Sequence, residues 1–265
     1  MRHLEAANRE LEHRREKRER EMRLVLLALA PFLPGSDGAV RHILEFGAGD
    51  GFQIPYLQKI GQVSALEPEP RESLLRIANV EAVFCGIEKT PFLSGRFDLI
   101  FSNHVIEHLE NLPESFQEIR RIGKPDCIYA FSVPTSLWLL LSLPAQYRNR
   151  LHRFFERDSA GASSLRLSKD GHGGGSGLQQ GRVPGAGWSK FLPRGHGVQE
   201  NFLKCWNLFR VSQWQHLFET YGFNVVKKQP LLLYGPSEFP IVPTLDAASA
   251  GGLCSSMLFV MRKQA

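Results

Sequence analysis

The sequence predicts an α/β fold with a seven-stranded, mostly parallel sheet and helices on both faces. Seven short apolar runs have the length and composition of strands, and amphipathic segments lie between most of them. Strands that alternate with helices favour a parallel sheet covered on both sides. The predicted strands are residues 41–46, 62–66, 80–84, 97–102, 127–133, 223–227 and 257–262.

The predicted helices fit between and after these strands. The segments with helical periodicity are residues 52–60, 71–78, 106–122 and 211–221. The last of them is followed by Gly222, a residue type that often ends a helix. A helix–strand pair near the end of the chain therefore completes the sheet.

The composition is that of an ordinary globular protein. The chain has 265 residues, of which 43% are hydrophobic and 22% charged, which is enough to bury a full core. Four widely spaced cysteines form no C-x-x-C pair, so we expect neither a cysteine zinc site nor a disulfide framework. A reducing, cytoplasmic setting fits this usage.

Residues 1–35 are predicted to form an N-terminal helical extension to a domain that spans residues 36–265. A single helix over residues 4–30 is polar first and apolar later, and we expect it to cap the domain. Eight Lys or Arg and six Glu in the first 23 residues leave a charge of only +2, which argues against a nucleic-acid-binding arm. The same mixed charges argue against a secretory signal.

Residues 136–205 are predicted to be a basic, Gly-rich insertion on the side of the domain where a substrate would bind. Eleven of the 24 glycines fall within residues 161–197. The insertion carries ten Lys or Arg and four acids, a charge of +6. Its Trp- and Leu-rich start precedes a basic helix, which fits either contact with an anionic membrane surface or a core helix followed by a solvated one.

The stretch LEFGAGDGF, residues 44–52, places three glycines at every second position after a strand. A dinucleotide-binding loop would need G-x-G-x-x-G, but Phe52 occupies the position that should be small. A phosphate-binding P-loop would need G-K-[ST], which does not follow. Gly47, Gly49 and Gly51 instead indicate a close backbone approach to something bulky and positively charged, with Glu45 beside it.

Six stretches, in this order along the chain, resemble the Rossmann-like class I S-adenosylmethionine (SAM)-dependent methyltransferases of the small-molecule type. They cover most of residues 40–134 and 211–262. The stretches are ILEFGAGDG (43–51), ALEPE (65–69), FCGIEKTPF (84–92), FDLIFSNHVIEHL (97–109), EIRRIGKPDCIYAFSVP (118–134) and WQHLFETYGFNVV (214–226).

The resemblance implies SAM as the cofactor and a set of residues that bind it. Glu45 and the three glycines would approach the methionine and ribose portions, and Glu67 would accept hydrogen bonds from both ribose hydroxyls. Many relatives have Asp at the position of Gly86, so here the backbone N–H of Ile87 or the side chain of Glu88 would bind the adenine. Asn103 either faces the methionine portion or shapes the turn after the fourth strand.

The implied activity is transfer of a methyl group from SAM to a small-molecule, lipid-linked or sugar acceptor, on oxygen. His104 and His196 are the candidate bases for removing a proton from the acceptor. No metal is expected. We expect no nucleic-acid partner, because no basic patch interleaved with aromatic residues is present. Peripheral contact with the inner membrane surface is a further hypothesis.

Two alternatives stay open from the sequence. A SAM-binding protein with a degenerate acceptor site would bind the cofactor without turning it over. HVIEH, residues 104–108, also matches the H-x-x-E-H pattern of zinc hydrolases, in which two histidines on one helical face hold the metal. That second interpretation leaves the glycine loop and Glu67 unexplained and lacks an evident third ligand.

Overall fold

The computed structural model describes residues 2–33, 40–148, 196–197, 201–235 and 244–264. Side chains in the first helix are described at residue 12 and from residue 15 onward. The helices are α1 (Arg2–Leu29), α2 (Ile54–Leu57), α3 (Glu72–Leu75), α4 (Leu112–Ile122), α5 (136–148), α6 (Phe202–Leu208) and α7 (Val211–Thr220). The strands are β1 (His42–Phe46), β2 (Gln62–Glu67), β3 (Val80–Phe84), β4 (Phe97–Asn103), β5 (Gly123–Pro134), β6 (Phe223–Pro230), β7 (Leu232–Leu233), β8 (Leu245–Asp246) and β9 (Ser256–Lys263).

The predicted seven-stranded sheet is confirmed, with the strand order β3-β2-β1-β4-β5-β9-β6. Strands β1 to β5 pair in parallel, whereas β9 runs antiparallel to both β5 and β6. The chain leaves β1 towards β2 and β3 and later returns to β4 on the other side of β1. The carboxyl ends of β1 and β4 therefore flank a crevice at a topological switch point, where open α/β sheets bind their ligands.

Side-chain alternation along the strands supplies a separate core to each face of the sheet. In β5, Tyr129 and Phe131 point to the face covered by α4, α6 and α7, whereas Ile128 and Ala130 point to the face covered by α1, α2 and α3. Both sets are almost completely buried. A central parallel strand buried on both faces reads as a continuous apolar run, which is why β5 was predictable from CIYAFSV.

Three of the predicted helices are shorter than expected. The segments 52–60 and 71–78 each contain a single helical turn, α2 and α3. The segment 106–122 is divided into a 3-10 turn at Ile106–His108 and α4, because the side chain of Asn111 caps α4 by accepting from Glu114 N–H. Cap and turn residues thus overrode an apolar periodicity that runs through both pieces.

Helix α1 confirms the predicted N-terminal helix and packs against the sheet. Met22, Val25 and Leu29 are wholly buried in the core beneath β1, β2 and β4. In the same helix, Arg20 donates to the carbonyl oxygen of Thr244 and to Asp246. The polar first half of α1 is therefore followed by turns that have one face buried against the domain.

Near the end of the chain, the glycine after α7 was predictable from the sequence, whereas two short strands were not. Gly222 follows α7 with φ +81°, in the left-handed region that favours glycine, as the sequence indicates. The two-residue strands β7 and β8 were not predicted, because strands this short show no alternation.

The insertion predicted over residues 136–205 is described only in part. Its first segment forms α5, and His196, Gly197 and the residues from Asn201 onward are also placed. The Gly-rich segment up to residue 195 lies outside the described residues. Across the described ranges, no helix combines the length and the apolar character needed to cross a membrane.

Replacing Trp214 by Phe tests how α7 is attached to the end of β5. The Trp214 indole N–H donates to the carbonyl oxygen of Pro134 at 2.9 Å in a fully buried setting. The substitution should lower the free energy of unfolding by about 1–3 kcal/mol, because it leaves a buried carbonyl without its donor. Urea unfolding is the measurement, and the exposed His216 of the same helix, replaced by Ala, should change stability by less than about 0.5 kcal/mol. Equal stability of both variants would contradict the prediction.

Candidate functional site

The glycine loop passes close to the turn that follows β4. The N–H groups of Gly47 and Ala48 both donate to the carbonyl oxygen of Leu66, which ties the loop to β2. A Cβ atom on Gly47 would lie 2.2 Å from a methyl carbon of Val105, so this residue must be glycine for the two segments to meet. Gly49, with φ +54°, has no neighbouring atom within 4 Å of an added Cβ and faces open space in the described structure.

Glu67 ends β2 next to this open space. Its Oε2 atom accepts a hydrogen bond of 2.8 Å from the N–H of Gly49, and the residue is 9% exposed. The carboxylate is thus held at the carboxyl edge of the sheet beside the loop. The ribose contact that the resemblance implies for Glu67 stays a prediction.

Glu45 is buried at the end of β1 in the same region. Its Oε2 atom has no hydrogen-bond partner among the described residues. Burial, opposed by Arg18 and assisted by the Glu67 carboxylate, raises the pKa of Glu45 to about 8. At neutral pH the Glu45 carboxyl is therefore largely protonated, and a cation placed beside it would favour its ionisation.

The predicted adenine segment follows β3. The side chain of Ile87 is buried, while Glu88 folds back over Gly86, where an added Cβ would lie 2.3 Å from Glu88 Oε2. The Ser115 hydroxyl of α4 lies 3.3 Å from the other oxygen of Glu88. Both predicted contacts to the base, the Ile87 backbone and the Glu88 side chain, thus belong to one short segment that α4 supports.

Helix α1 supplies two residues that the sequence analysis did not single out. Arg18 donates to Glu21 at 2.6 Å, and Glu21 is completely buried. Glu21 also accepts from Asn103 Nδ2 at 3.3 Å and from the Ser256 hydroxyl at 3.2 Å. The apolar stripe of α1, Met22, Val25 and Leu29, extends backwards at helical spacing through Arg18 and Glu21, and this was the signal that could have identified them.

The charge of Glu21 is retained despite its burial. Burial alone would raise its pKa, but the positive charges of Arg18 and Lys17 and the hydrogen bond from Arg18 lower it to about 2. Asn103, at the end of β4, therefore faces an ionised carboxylate of α1. Two roles were predicted for Asn103, facing the methionine portion or shaping the turn. The structure adds a contact between Asn103 and α1.

His104 immediately follows β4 in a left-handed backbone conformation, with φ +57°. Such a conformation is uncommon for a residue other than glycine and tends to occur at functional sites. The backbone N–H of His104 is fixed by a hydrogen bond to the carbonyl oxygen of Ser132 in β5. The imidazole lies between two partners, with Nε2 3.0 Å from the Tyr234 hydroxyl and Nδ1 3.4 Å from Glu107 Oε1.

His196 lies beside His108, not beside the glycine loop. The two imidazole centroids are 5.0 Å apart, and the His196 ring also contacts Trp138 with a centroid distance of 4.6 Å. Burial lowers the pKa of His196, and the neighbouring His108 adds to this shift. The two predicted bases thus occupy different surroundings, and Glu107 lies between them.

The helical zinc-hydrolase interpretation of HVIEH is wrong in its geometry. Residues 104–108 form a left-handed residue followed by a 3-10 turn, so the two histidines do not share one helical face. His104 contacts Tyr234, whereas His108 contacts His196. The sequence pattern is present without the helix on which that type of zinc site depends.

Comparisons with known proteins agree with this architecture. The family model described as "Methyltransferase domain" matches residues 14–228, which is most of the chain. A malonyl-[acyl-carrier protein] O-methyltransferase from Geobacter sulfurreducens is 27% identical over 143 residues, covering 47% of this chain and 54% of the relative. The enzyme of the same name from Halorhodospira halophila is 25% identical over 138 residues, with 47% coverage of each. The chain spans about half the length of these curated relatives.

Solved structures show the same fold at low sequence identity. A chain from the Haloferax volcanii complex that contains the Trm112 methyltransferase activator aligns with a TM-score of 0.55 and 14% identity, covering 98% of this chain and 96% of that one. A SAM-dependent methyltransferase from Mesorhizobium loti aligns with a TM-score of 0.50 and 15% identity, covering 91% and 98%. These likenesses concern the fold alone.

The residues present fit SAM as a ligand. An open face at Gly49, a held carboxylate at Glu67 and an unpartnered carboxyl oxygen at Glu45 converge at the switch point of the sheet. Residues that lie in separate sequence motifs thus meet at one place in the fold, and the family model matches the same part of the chain. The chain belongs to the methyltransferase-domain family and has the Rossmann-like class I fold.

Proposed function

We propose that this enzyme transfers the methyl group of SAM to a hydroxyl oxygen of a small-molecule, lipid-linked or sugar acceptor, with His104 as the general base. The observation that carries the proposal is the position of the His104 imidazole at the carboxyl end of β4. There it lies between a buried carboxylate and a hydroxyl group, and the next residue, Val105, packs against Gly47 of the glycine loop. The names of the two curated relatives, both O-methyltransferases, support oxygen as the acceptor atom.

The cofactor would be held by groups of opposite charge and by backbone. The sulfonium and the ammonium of SAM are cations, and Glu45 and Glu67 lie next to the open face at Gly49. Arg18, whose charge acts on Glu45, is suited to the carboxylate of the methionine portion. Glu67 would exchange its hydrogen bond with Gly49 for bonds to the ribose hydroxyls, and the segment at Ile87 and Glu88 would contact the adenine.

Glu107 would set the tautomer and the orientation of the His104 ring. A buried carboxylate 3.4 Å from Nδ1 favours the tautomer with the proton on that nitrogen. Nε2 then carries the lone pair, and the Tyr234 hydroxyl marks a position from which a hydroxyl can donate to it. Glu107 is accordingly a positioning residue, and His104 is the group that would touch the acceptor.

The chemistry is a single in-line displacement. Bound SAM would supply the methyl group: the acceptor oxygen would bond to the methyl carbon as its bond to the sulfonium breaks, and S-adenosylhomocysteine would leave. The hydroxyl proton passes to Nε2 of His104. The enzyme contributes alignment of the two reactants and removal of the proton.

Replacing Glu67 by Ala tests the cofactor site. Loss of two charge-assisted hydrogen bonds to the ribose should weaken SAM binding on the order of 100-fold. Calorimetric titration with SAM and S-adenosylhomocysteine measures the effect. The exposed Glu69, two residues away and also replaced by Ala, is the matched control and should leave the affinity unchanged. Failure of the folded wild-type protein to bind SAM would refute the assignment.

The pKa of Glu45 leads to a prediction about pH. Without ligand its pKa is about 8, above the ordinary pKa of a Glu carboxyl. The folded protein therefore loses stability as pH rises from that ordinary pKa towards 8, because the buried carboxyl must ionise. The SAM cation favours the ionised form, so binding should release a proton at pH 7, and the affinity should rise as pH increases towards 8. Titrations in buffers with different ionisation enthalpies measure the released proton. Glu45→Gln should abolish the release, and an unchanged value would contradict the prediction.

Replacing His104 by Asn tests the base. Asn tolerates the left-handed conformation at this position, so the turn should persist while the base is lost. The rate of methyl transfer to a hydroxyl acceptor should fall roughly 10²–10⁴-fold, with SAM affinity unchanged. Labelled SAM incubated with a panel of hydroxyl and carboxyl acceptors supplies the assay.

The exposed His216, replaced by Asn, is the control for this experiment. A carboxylate acceptor is already ionised at neutral pH and needs no base. Unchanged transfer by the His104→Asn variant would therefore contradict the assignment of a hydroxyl acceptor and of His104 as its base.

A further inference from the structure

Three metal-ligating side chains meet beneath the turn that follows β4. Glu107, His108 and His196 each offer one ligand atom, and these three atoms lie within 4.8 Å of one another. Glu107 and His108 are neighbours in the 3-10 turn, whereas His196 comes from a segment 88 residues further along the chain. The cluster is therefore a product of the tertiary structure and not of the local sequence.

Glu107 is the member of this cluster that most needs a cation. Its side chain is completely buried, and neither carboxylate oxygen accepts a hydrogen bond from any described residue. The nearest donor is His104 Nδ1 at 3.4 Å from Oε1. Buried polar groups are nearly always satisfied, and a buried carboxylate without a hydrogen bond or a counter-ion is costly.

His196 is held in place by several contacts that do not involve its ring nitrogens. Its backbone N–H donates to Cys205 Sγ, and the Cys205 thiol donates back to its carbonyl oxygen. The next residue, Gly197, has φ +66° and lies so close to Glu107 that an added Cβ would be 2.1 Å from the Glu107 carbonyl oxygen. The dipeptide is thus seated directly on the turn that carries the other two ligands.

We propose that Glu107, His108 and His196 form a binding site for a divalent transition-metal ion of the zinc type. Two imidazoles and one carboxylate are a common donor set for such ions, with a further coordination position left open for water or substrate. Three donor atoms within 4.8 Å of one another can all lie about 2.8 Å or less from a common point. Metal–ligand distances of about 2.0–2.2 Å then need movements of less than about 1 Å.

The proposed site departs from the expectation of no metal, which stays untested, and it differs from the zinc-hydrolase interpretation. His104 is not one of the three ligands, and His196 takes the place of the third ligand that the sequence did not identify. Glu107 links the metal site to His104, because its Oε1 faces the His104 imidazole. Its role in catalysis rests on the proposed function: an ion here would lower the pKa of an acceptor hydroxyl beside the base.

Metal binding can be measured without methyl transfer. The full-length protein, freed of metal with a chelator, is titrated with Zn²⁺ by calorimetry and with Co²⁺ by visible absorption. One equivalent should bind, and His108→Asn and His196→Asn should each weaken binding on the order of 100-fold or more. His216→Asn removes an exposed imidazole and should bind as the wild type does. Failure of the wild type to bind an ion, or equal binding by all three variants, would overturn the proposal.

Gly197→Ala supplies a second variant that removes no ligand. The added Cβ displaces the segment from Glu107 and moves His196 away, so Zn²⁺ affinity should fall. Unlike the His196→Asn variant, this variant still contains the His196 imidazole. Zn²⁺ should raise the Tm of the wild type and not that of Gly197→Ala. Equal Zn²⁺ shifts in both proteins would contradict the proposed geometry.

A parallel titration of each metal-free protein with SAM keeps the two proposals separate. Retained SAM binding shows that a variant is folded and that its loss of Zn²⁺ is specific. Metal uptake without SAM binding would overturn the cofactor assignment alone, whereas SAM binding without metal uptake would overturn the metal site alone.

Discussion

Buried carboxylates at the carboxyl edge of the sheet are the constraint on which the rest of the site depends. Glu21, Glu45, Glu67 and Glu107 are all buried. The last three lie at or just after strand ends, and Glu21 of α1 reaches the same edge through Asn103 and Ser256. A buried negative charge is stable only if a proton, a hydrogen-bond donor or a cation compensates it. The four carboxylates differ in what compensates them in the described structure, and these differences separate their roles.

Glu21 is paired with Arg18 and keeps its charge, so it attaches α1 to the strand ends through Asn103 and Ser256. Glu45 takes up a proton, which makes it responsive to an incoming cation. Glu67 accepts a backbone N–H of the glycine loop, a bond that a ribose hydroxyl can replace. Glu107 lacks a hydrogen bond from the described residues and lies next to two imidazoles, a setting that suits a metal ion.

The N-terminal helix contributes buried residues to the candidate site, which its charged composition did not indicate. Its charged sequence is that of a solvated helix, yet one face of its last turns is buried. The helix places Arg18 and Glu21 over the ends of β1 and β4 and Lys17 over the ring of Tyr234, 3.5 Å from its centroid. The surroundings of His104 are thus assembled from α1, the turn after β4 and the segment after β7, which are far apart in sequence.

The sequence by itself determined the sheet and the glycine loop, because both rest on local patterns. Continuous apolar runs mark central parallel strands, and the spacing of Gly47, Gly49 and Gly51 excludes the dinucleotide and P-loop alternatives. Only the tertiary structure decided the ends of the helices, the burial of Arg18 and Glu21, and the meeting of His108 with His196. Caps such as Asn111 compete with apolar periodicity, and contacts across 88 residues leave no periodic signal. Side chains that act together at the strand ends are brought there by chain topology, which short stretches of sequence do not encode.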